Sequence, residues 1–347
     1  LWRHHYADHM QAWLLREIGG PESFALEDVD EPVPGPGEVR VRLVTSALNH
    51  LDIWSSMGMP KPPLPHIAGA DGAGTVDAVG EGVTTVAVGD GVVVNPSVSC
   101  GSCQACLRGD ILFCDTYQIL GEHRWGTLAD QVVIPARNVV PKPSVLGWDH
   151  AGAYALAYGT AYRMLRRARL KVGDTLLIVG VGGGVSNAAM MLGKEMGAVV
   201  FVTSRDPKKV EKAVFSGADG GFLSTEDFGK ALKAATGQGA DVVVENVGEP
   251  TWRASIGSLN KGGRLVTCGG TGGPKIELSL PRVFFKQIEI IGSTMFDMAE
   301  FADVTNLVGS GRVPIIIDST FGFDELPAAM ERMQNGEQFG KIVLRHE

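Results

Sequence analysis

A chain of 347 residues, 44% hydrophobic and 20% charged with 46 glycines, has the length for two ordinary domains and the turn-rich composition of a folded globular protein. Its 31 basic and 39 acidic residues leave a net charge of −8 with no Lys/Arg stripe, which argues against nucleic acid or an anionic membrane as partner. No apolar run approaches the roughly 18 residues of a membrane span and no secretory signal is recognisable, so a soluble, cytoplasmic protein acting on a small-molecule substrate is expected.

The chain opens LWRHHYADHM. His9-Met10 is what a common cloning site leaves ahead of a native start, so residues 1–9 read as an appended extension, with a natural basic extension as the alternative. Neither gives these histidines a catalytic role.

From Glu38 the run EVRVRLVTSAL alternates apolar and polar residues with the period of two that marks a half-buried strand. GAGTVDAVG, VAVGDGVVV and LADQVVIPA follow, separated by glycine. Such regular turn signals predict an antiparallel, barrel-like lobe over residues 10–147. Residues 95–115 of that lobe carry an insertion, CGSCQACLRGDILFC, in which Cys100, Cys103, Cys106 and Cys114 are spaced C-x2-C-x2-C-x7-C. Four soft thiolates on one small loop suit tetrahedral zinc with sulfur at about 2.3 Å, and a site closed by four protein ligands is structural. A pair of disulfides is the alternative; it needs an oxidising compartment and is more usual in short secreted chains. The fifth cysteine, Cys268 in GGRLVTCGG, reads as a buried small hydrophobe.

After VPKPSVLGWDH the pattern changes. A helix is predicted over residues 153–169, and then TLLIVG, VVFVTS, DVVVEN and GRLVTCGG read as buried strands. Between them SNAAMMLGKEMGA and PKKVEKAVFSGA read as helices, each closed by Gly-Ala, where glycine suits the left-handed cap. Apolar strands alternating with amphipathic helices predict an α/β, doubly wound parallel sheet of the Rossmann type over residues 148–295. Residues 296–347 hold a helix and a last strand, GKIVLRH, and are expected to return to the first lobe. The run IEIIGSTM reads as an edge strand available for subunit pairing or as an internal strand.

In TLLIVGVGGGVSNAAMMLG a strand, a glycine-rich turn and a helix follow one another directly. Gly180, Gly182, Gly183 and Gly184, with Val185, let the backbone approach a pyrophosphate and aim amides at it from a positive helix end. Ser186 and Asn187 stand where a further glycine or alanine is usual, so the fingerprint is slightly off pattern. The next strand ends in Thr203, Ser204 and Arg205, with Lys208 and Lys209 beyond, and lacks the acid that would bond a ribose 2′-hydroxyl. Those groups suit a 2′-phosphate, so NADPH is preferred to NADH. Asp206 is read as the cap of a helix starting at Pro207; if it reached the ribose instead, the preference would reverse. Asn246, Val247 and Gly248 end one strand and Gly269 and Gly270 end another, where the nicotinamide half would run, with Thr160 as a further candidate contact.

A four-cysteine loop in a β-rich lobe, a glycine turn after TLLIV and a returning tail together resemble the medium-chain dehydrogenase/reductase superfamily, over essentially all of residues 10–347. The resemblance implies a GroES-like catalytic domain joined to the Rossmann domain, an active site in the cleft between them, hydride transfer, and a homo-oligomer, dimer or tetramer. It also shows a departure. In alcohol dehydrogenases of the family a catalytic zinc takes a cysteine, here replaced by Asn49 of Asn49-His50-Leu51-Asp52, and a histidine, here replaced by Ala70 of Gly69-Ala70-Asp71. A third ligand, Cys or Asp, has no counterpart in Ala155-Leu156-Ala157-Tyr158-Gly159-Thr160. Amide, methyl and alkyl groups do not hold zinc, so the catalytic metal is expected to be absent. His50, His66, His123, Asp52 and Asp71 remain as material for a relocated metal site, with His66 and His123 as ordinary hydrogen-bonded loop residues the preferred reading.

Without a Lewis acid, alcohol oxidation loses several kcal/mol of charge stabilisation, whereas hydride addition to an activated C=C or a quinone needs only hydrogen-bond donors for the enolate. The leading expectation is an NADPH-dependent reductase of that kind. Catalytic candidates are Asn49, His50, Asp52, Tyr158 and His123, and Ile53, Trp54, Met57 and Trp125 are candidate pocket walls. An alcohol or aldehyde dehydrogenase with rearranged ligands and a non-catalytic NADPH-binding protein are the alternatives.

Overall fold

The computed structural model describes residues 9–346, so the reading of residues 1–9 lies, His9 apart, outside the described residues. The chain forms two compact units: residues up to Leu156 with Asp297–Thr305 and everything from Ile317 on, and Ala157–Phe296 with Asn306–Ile316. Two of the four divisions fall inside the helices Ala155–Arg167 and Met298–Gly309, and the tail is shared by both units.

In the first unit a mixed sheet runs in the order Val139–Pro141, Gly91–Val94, Asp71–Val79, Glu38–Ala47, Lys341–Arg345, Ile317–Gly322, and Gln131–Pro135 also pairs with Glu38–Ala47. Along Glu38–Ala47 the period of two puts Val39, Val41 and Leu43 into a core with Val76, Val92, Val94, Leu120 and Ile134. Each such side chain contributes about 1.5–3 kcal/mol by leaving water. The run VAVGDGVVV forms a strand only over Gly91–Val94. Gly89 at φ +99° and the Asp90 carboxylate, which accepts the Ala87 amide at 2.9 Å, turn the chain just before it. A second sheet joins Phe24–Asp30, His9–Leu15 and His66–Ile67.

The second unit is a six-stranded sheet, parallel throughout, ordered Gly220–Leu223, Val199–Ser204, Thr175–Val179, Ala240–Glu245, Leu259–Thr267, Glu289–Gly292. Numbered as they occur, these strands lie 3-2-1-4-5-6, the doubly wound dinucleotide-fold order. Thr175–Val179 is buried along its whole length, as a central strand covered on both faces must be. The helices Gly184–Glu195 and Pro207–Phe215 stop just ahead of Gly197 (φ +81°) and Gly217 (φ +119°). The run IEIIGSTM supplies Glu289–Gly292, which pairs on one side only and is the sheet's edge.

Candidate active site

The four loop cysteines are free thiols whose sulfurs all lie within 4.8 Å of one another. Cys100 and Cys106 Sγ are 3.8 Å apart and Cys103 and Cys106 Sγ 3.5 Å. A zinc tetrahedron with bonds of about 2.3 Å has edges of about 3.8 Å, so the donor set fits that metal. The amides of Ser102 and Cys103 point at Cys100 Sγ, at 3.5 and 3.2 Å, and pull its thiol down to about 5, toward the thiolate a metal needs. Cys268 is different: burial pushes its thiol up to about 12, and its sulfur donates to Asn246 Oδ1 at 3.3 Å.

Asn49 caps the helix His50–Ser56, and Asp52 in its first turn accepts the Asn49 amide at 2.8 Å. The other Asp52 oxygen accepts the Gly69 amide at 3.0 Å, tying this helix to the Gly69-Ala70-Asp71 loop. Asp52 is fully buried, and burial pushes its carboxyl up to about 6 against those two donors. Its oxygens are thus spent on holding backbone. Asp71, equally buried, accepts the Leu156 amide on Oδ1 at 2.7 Å and the Asn49 side-chain amide on Oδ2 at 3.0 Å. Into this cluster reaches Lys341 from the last strand, 2% exposed. Its ammonium donates to Leu48 O and Asn49 Oδ1, both at 2.7 Å, and to Asp71 Oδ2 at 2.8 Å. A catalytic metal does not fit here, because the Asn49 and Asp71 oxygens already serve a cation and Ala70 offers a buried methyl. His50 makes a ring contact with Trp54, and burial, then the Lys341 charge, holds its pKa below the ordinary histidine value. Its imidazole is therefore neutral at physiological pH.

His66 Nε2 meets Gly121 O at 3.0 Å, and His123 Nδ1 accepts the Ile119 amide at 3.1 Å. The Tyr158 hydroxyl donates to Pro314 O at 2.8 Å and accepts from the Ile316 amide at 3.2 Å, and burial raises its pKa. Thr160, 4% exposed, keeps a buried hydroxyl with no protein partner. Ile53 is core, whereas Met57 and Trp125 are 49% and 39% exposed and Trp125 donates to Pro65 O.

In the second unit, Thr203 closes the glycine turn: its hydroxyl accepts the Gly180 amide at 3.2 Å and its carbonyl the Val181 amide at 2.7 Å. Gly180 (φ +79°) and Gly182 (φ +142°) hold the left-handed geometry, and a Cβ on Gly183, the cap of the next helix, would meet only open space. Unfilled room at a helix start, where amides lack intrahelical acceptors, is a cradle for a diphosphate. Asn187, off the usual fingerprint, braces the turn by donating to Gly182 O at 3.2 Å. Asp206 accepts the Lys208 amide at 2.9 Å as a helix cap, while Ser204 is buried and Arg205 and Lys208 are exposed. Past the fourth strand, Asn246 Oδ1 accepts from Cys268 N at 3.0 Å, which turns its amide group toward a buried place with no protein acceptor. The orphan donors of Thr160 and Asn246 and the open glycine cradle fit a bound dinucleotide.

Two residues escaped the sequence reading. Glu245 accepts the amides of Val247 (2.8 Å) and Gly248 (3.0 Å) and the hydroxyls of Thr251 and Ser255, fixing the loop that carries Asn246. Lys341 is the other. Each is a charge at the end of a largely apolar strand, Glu245 closing Ala240–Glu245 and Lys341 opening Lys341–Arg345, and burial there is costly unless the charge is paired; that was the available signal.

A parallel 3-2-1-4-5-6 sheet with an open glycine cradle, in a chain that also holds a β lobe with a close four-cysteine cluster, defines a pyridine-nucleotide-dependent oxidoreductase architecture. Residues 35–144 match the alcohol dehydrogenase GroES-like domain family and residues 184–310 the zinc-binding dehydrogenase family, and the chain belongs to the medium-chain dehydrogenase/reductase superfamily. A crotonyl-CoA carboxylase/reductase of Cereibacter sphaeroides is 29% identical, with 96% of this chain and 86% of that protein covered. The crystal structure of an NAD-dependent alcohol dehydrogenase is 40% identical with a TM-score of 0.93, covering 97% of this chain and 99% of that one. The crotonyl-CoA carboxylase/reductase AntE in complex with NADP is 27% identical with a TM-score of 0.91, covering 97% and 94%.

Proposed function

We propose that this protein is an NADPH-dependent reductase of activated C=C bonds, with enoyl thioesters as the leading substrate class and enones and quinones as neighbours. The observation that carries this is the Lys341–Asp71–Asn49 network: Asn49 and Ala70 stand for two metal ligands of the family's alcohol dehydrogenases, and the Asn49 and Asp71 oxygens are taken by the Lys341 ammonium, which leaves no donor set there for a Lewis acid. The enoyl-CoA reductase names among its relatives, one solved with NADP, support the same reading. NADPH, when bound, supplies the hydride that adds to the β-carbon. The glycine turn and the amides starting Gly184–Glu195 would bind the diphosphate, Ser204, Arg205 and Lys209 the 2′-phosphate, and Thr160, Asn246, Val247, Gly269 and Gly270 the nicotinamide half. In the first unit Asn49 and Asp52 hold the backbone, and His50 would relay a proton to the substrate, giving it from one ring nitrogen while the other takes one from water, so that the imidazole ends neutral. The cysteine loop holds one structural zinc, and the open edge Glu289–Gly292 is the surface for pairing with a second copy.

The test is a substrate panel. NADPH oxidation with crotonyl-CoA, simple enones and quinones should exceed NAD(P)+-dependent oxidation of primary and secondary alcohols by at least about a hundredfold in kcat/KM, the several kcal/mol a missing Lewis acid costs. His50→Ala should lower the enoyl rate at least about tenfold. Fast alcohol turnover with no enoyl reduction would establish the alcohol dehydrogenase alternative, to which the 40% identical structure's name points. Tight NADPH binding with no turnover on any substrate would leave a nucleotide-binding protein.

The cofactor choice has its own test. Arg205→Ala should raise the KM for NADPH by about tenfold to a hundredfold, the worth of one charge-assisted hydrogen bond to phosphate, and leave the KM for NADH unchanged. Equal effects on both cofactors would remove Arg205 from the 2′-phosphate.

A further inference from the structure

We infer that Glu245 is a positioning residue for the nicotinamide half of the cofactor, its buried carboxylate setting the loop that presents Asn246 and Val247 and, through that loop, its two neighbours. The inference deepens the reading of this edge of the parallel sheet as the cofactor site and rests on it.

Glu245 closes the strand Ala240–Glu245 and is fully buried. Its hydrogen-bond partners are neutral. Oε1 accepts the amides of Val247 at 2.8 Å and Gly248 at 3.0 Å, the Thr251 hydroxyl lies 3.1 and 3.0 Å from the two oxygens, and the Ser255 hydroxyl donates to Oε2. Gly248 caps the helix Glu249–Ser258, so the carboxylate also faces the positive start of that helix, which offsets the cost of burying it.

The loop held in this way joins the other ligand loops of the sheet's C-terminal edge. Thr271 N donates to Asn246 O at 3.1 Å, Gly272 N to Val247 O at 2.7 Å and Glu249 N to Gly273 O at 3.1 Å, which fastens the Gly269-Gly270 loop to it. Cys268 N fixes the Asn246 carboxamide through Oδ1 at 3.0 Å and leaves Nδ2 without a protein acceptor. On the other side Val247 packs on the glycine turn, where a Cβ at Gly180 would come within 2.6 Å of Val247 Cγ2. One carboxylate thus sets Asn246, Val247 and Gly269-Gly270, the residues assigned to the nicotinamide half. Ser204 and Arg205, assigned to the 2′-phosphate, follow the strand Val199–Ser204, which lies two places away across Thr175–Val179, about 10 Å at the usual strand spacing. A displaced Glu245 loop is therefore felt at the nicotinamide end and not at the adenine end.

The experiment is titration calorimetry of NADPH, NADH and the adenine-half probe 2′,5′-ADP into the full-length protein. Glu245→Leu leaves both amides without an acceptor; it should raise the Kd for NADPH and NADH alike by at least about tenfold and leave that for 2′,5′-ADP within about twofold. Glu245→Gln keeps an oxygen for the amides and offers an NH2 to hydroxyls that also accept, so it should stay within about threefold of the wild type on all three ligands. The milder pair Thr251→Val/Ser255→Ala strips Oε2 of its donors while Oε1 keeps the amides, and should show the same selective loss at about threefold or more. Full NADPH affinity in Glu245→Leu overturns the inference. So does an equal loss of NADPH and 2′,5′-ADP in Glu245→Leu and in the milder pair, which would make the residue merely structural. A wild type that holds NADH more tightly than NADPH refutes the NADPH reading alone, and the comparison of NADH with ADP then upholds or overturns the role of Glu245. A wild type that binds none of these ligands overturns both.

Discussion

Replacing Asp71 by alanine should destabilise the first unit by about 3–5 kcal/mol, the cost of leaving a buried charge without its partner. The carboxylate is fully buried and serves three groups: the Lys341 ammonium, the Asn49 amide group and the Leu156 amide. Alanine leaves the ammonium with Leu48 O and Asn49 Oδ1 alone and opens a small void. At roughly 2–4 °C per kcal/mol for a domain of this size, melting should fall by about 10 °C. Asp71→Asn also removes the counter-charge but keeps an oxygen acceptor at the same place and leaves no void, so it should destabilise by less than alanine does. Calorimetry on the two variants decides the matter; a loss under about 1 kcal/mol for Asp71→Ala would mean that water or a neighbour replaces the carboxylate.

The second large effect concerns the cysteine loop. One zinc per chain is expected in protein purified without added metal, and Cys114→Ser should abolish it. Between Cys100 and Cys114 only Ala105, Ile111 and Cys114 itself are buried apolar residues, too little to order the segment unaided. Bound zinc would therefore carry the loop's folding free energy, and chelation should lower the melting temperature by at least about 10 °C and make the loop protease-sensitive. Unchanged melting after complete zinc removal would refute a structural role. Two zincs per chain would restore the alcohol dehydrogenase alternative.

The features legible in the sequence are those written in neighbouring residues. Strand alternation from Glu38, the four cysteines, the glycine turn after Val179 and the Asp206-Pro207 helix start each occupy one short window, and their structures follow from local geometry. The site's electrostatics are not local. Asp71 and Lys341 are 270 positions apart, and nothing near either residue names the other. Tyr158 shows a related limit. Its position in the helix Ala155–Arg167 was legible, but whether its hydroxyl was free depended on Pro314 and Ile316 from the tail, which claim both of its hydrogen bonds. Among the described residues His66 and His123 likewise spend ring nitrogens on backbone groups that no sequence window reveals.

The separation between Asp71 and Lys341 also sets a timetable for synthesis. A ribosome working at about 5–20 residues per second delivers the acid about 15–50 s before the base. From the synthesis of Pro141 onward, most of that interval, the nascent first lobe has its cysteine loop and most of its strands but still lacks Ile317–Gly322 and Lys341–Arg345, which complete its main sheet. The second unit, by contrast, has every strand of its own sheet in hand once Gly292 emerges. Maturation of the lobe is thus the last event in the life of the newborn chain, and a chain released before Lys341 carries a buried carboxylate with no counter-ion in its first unit.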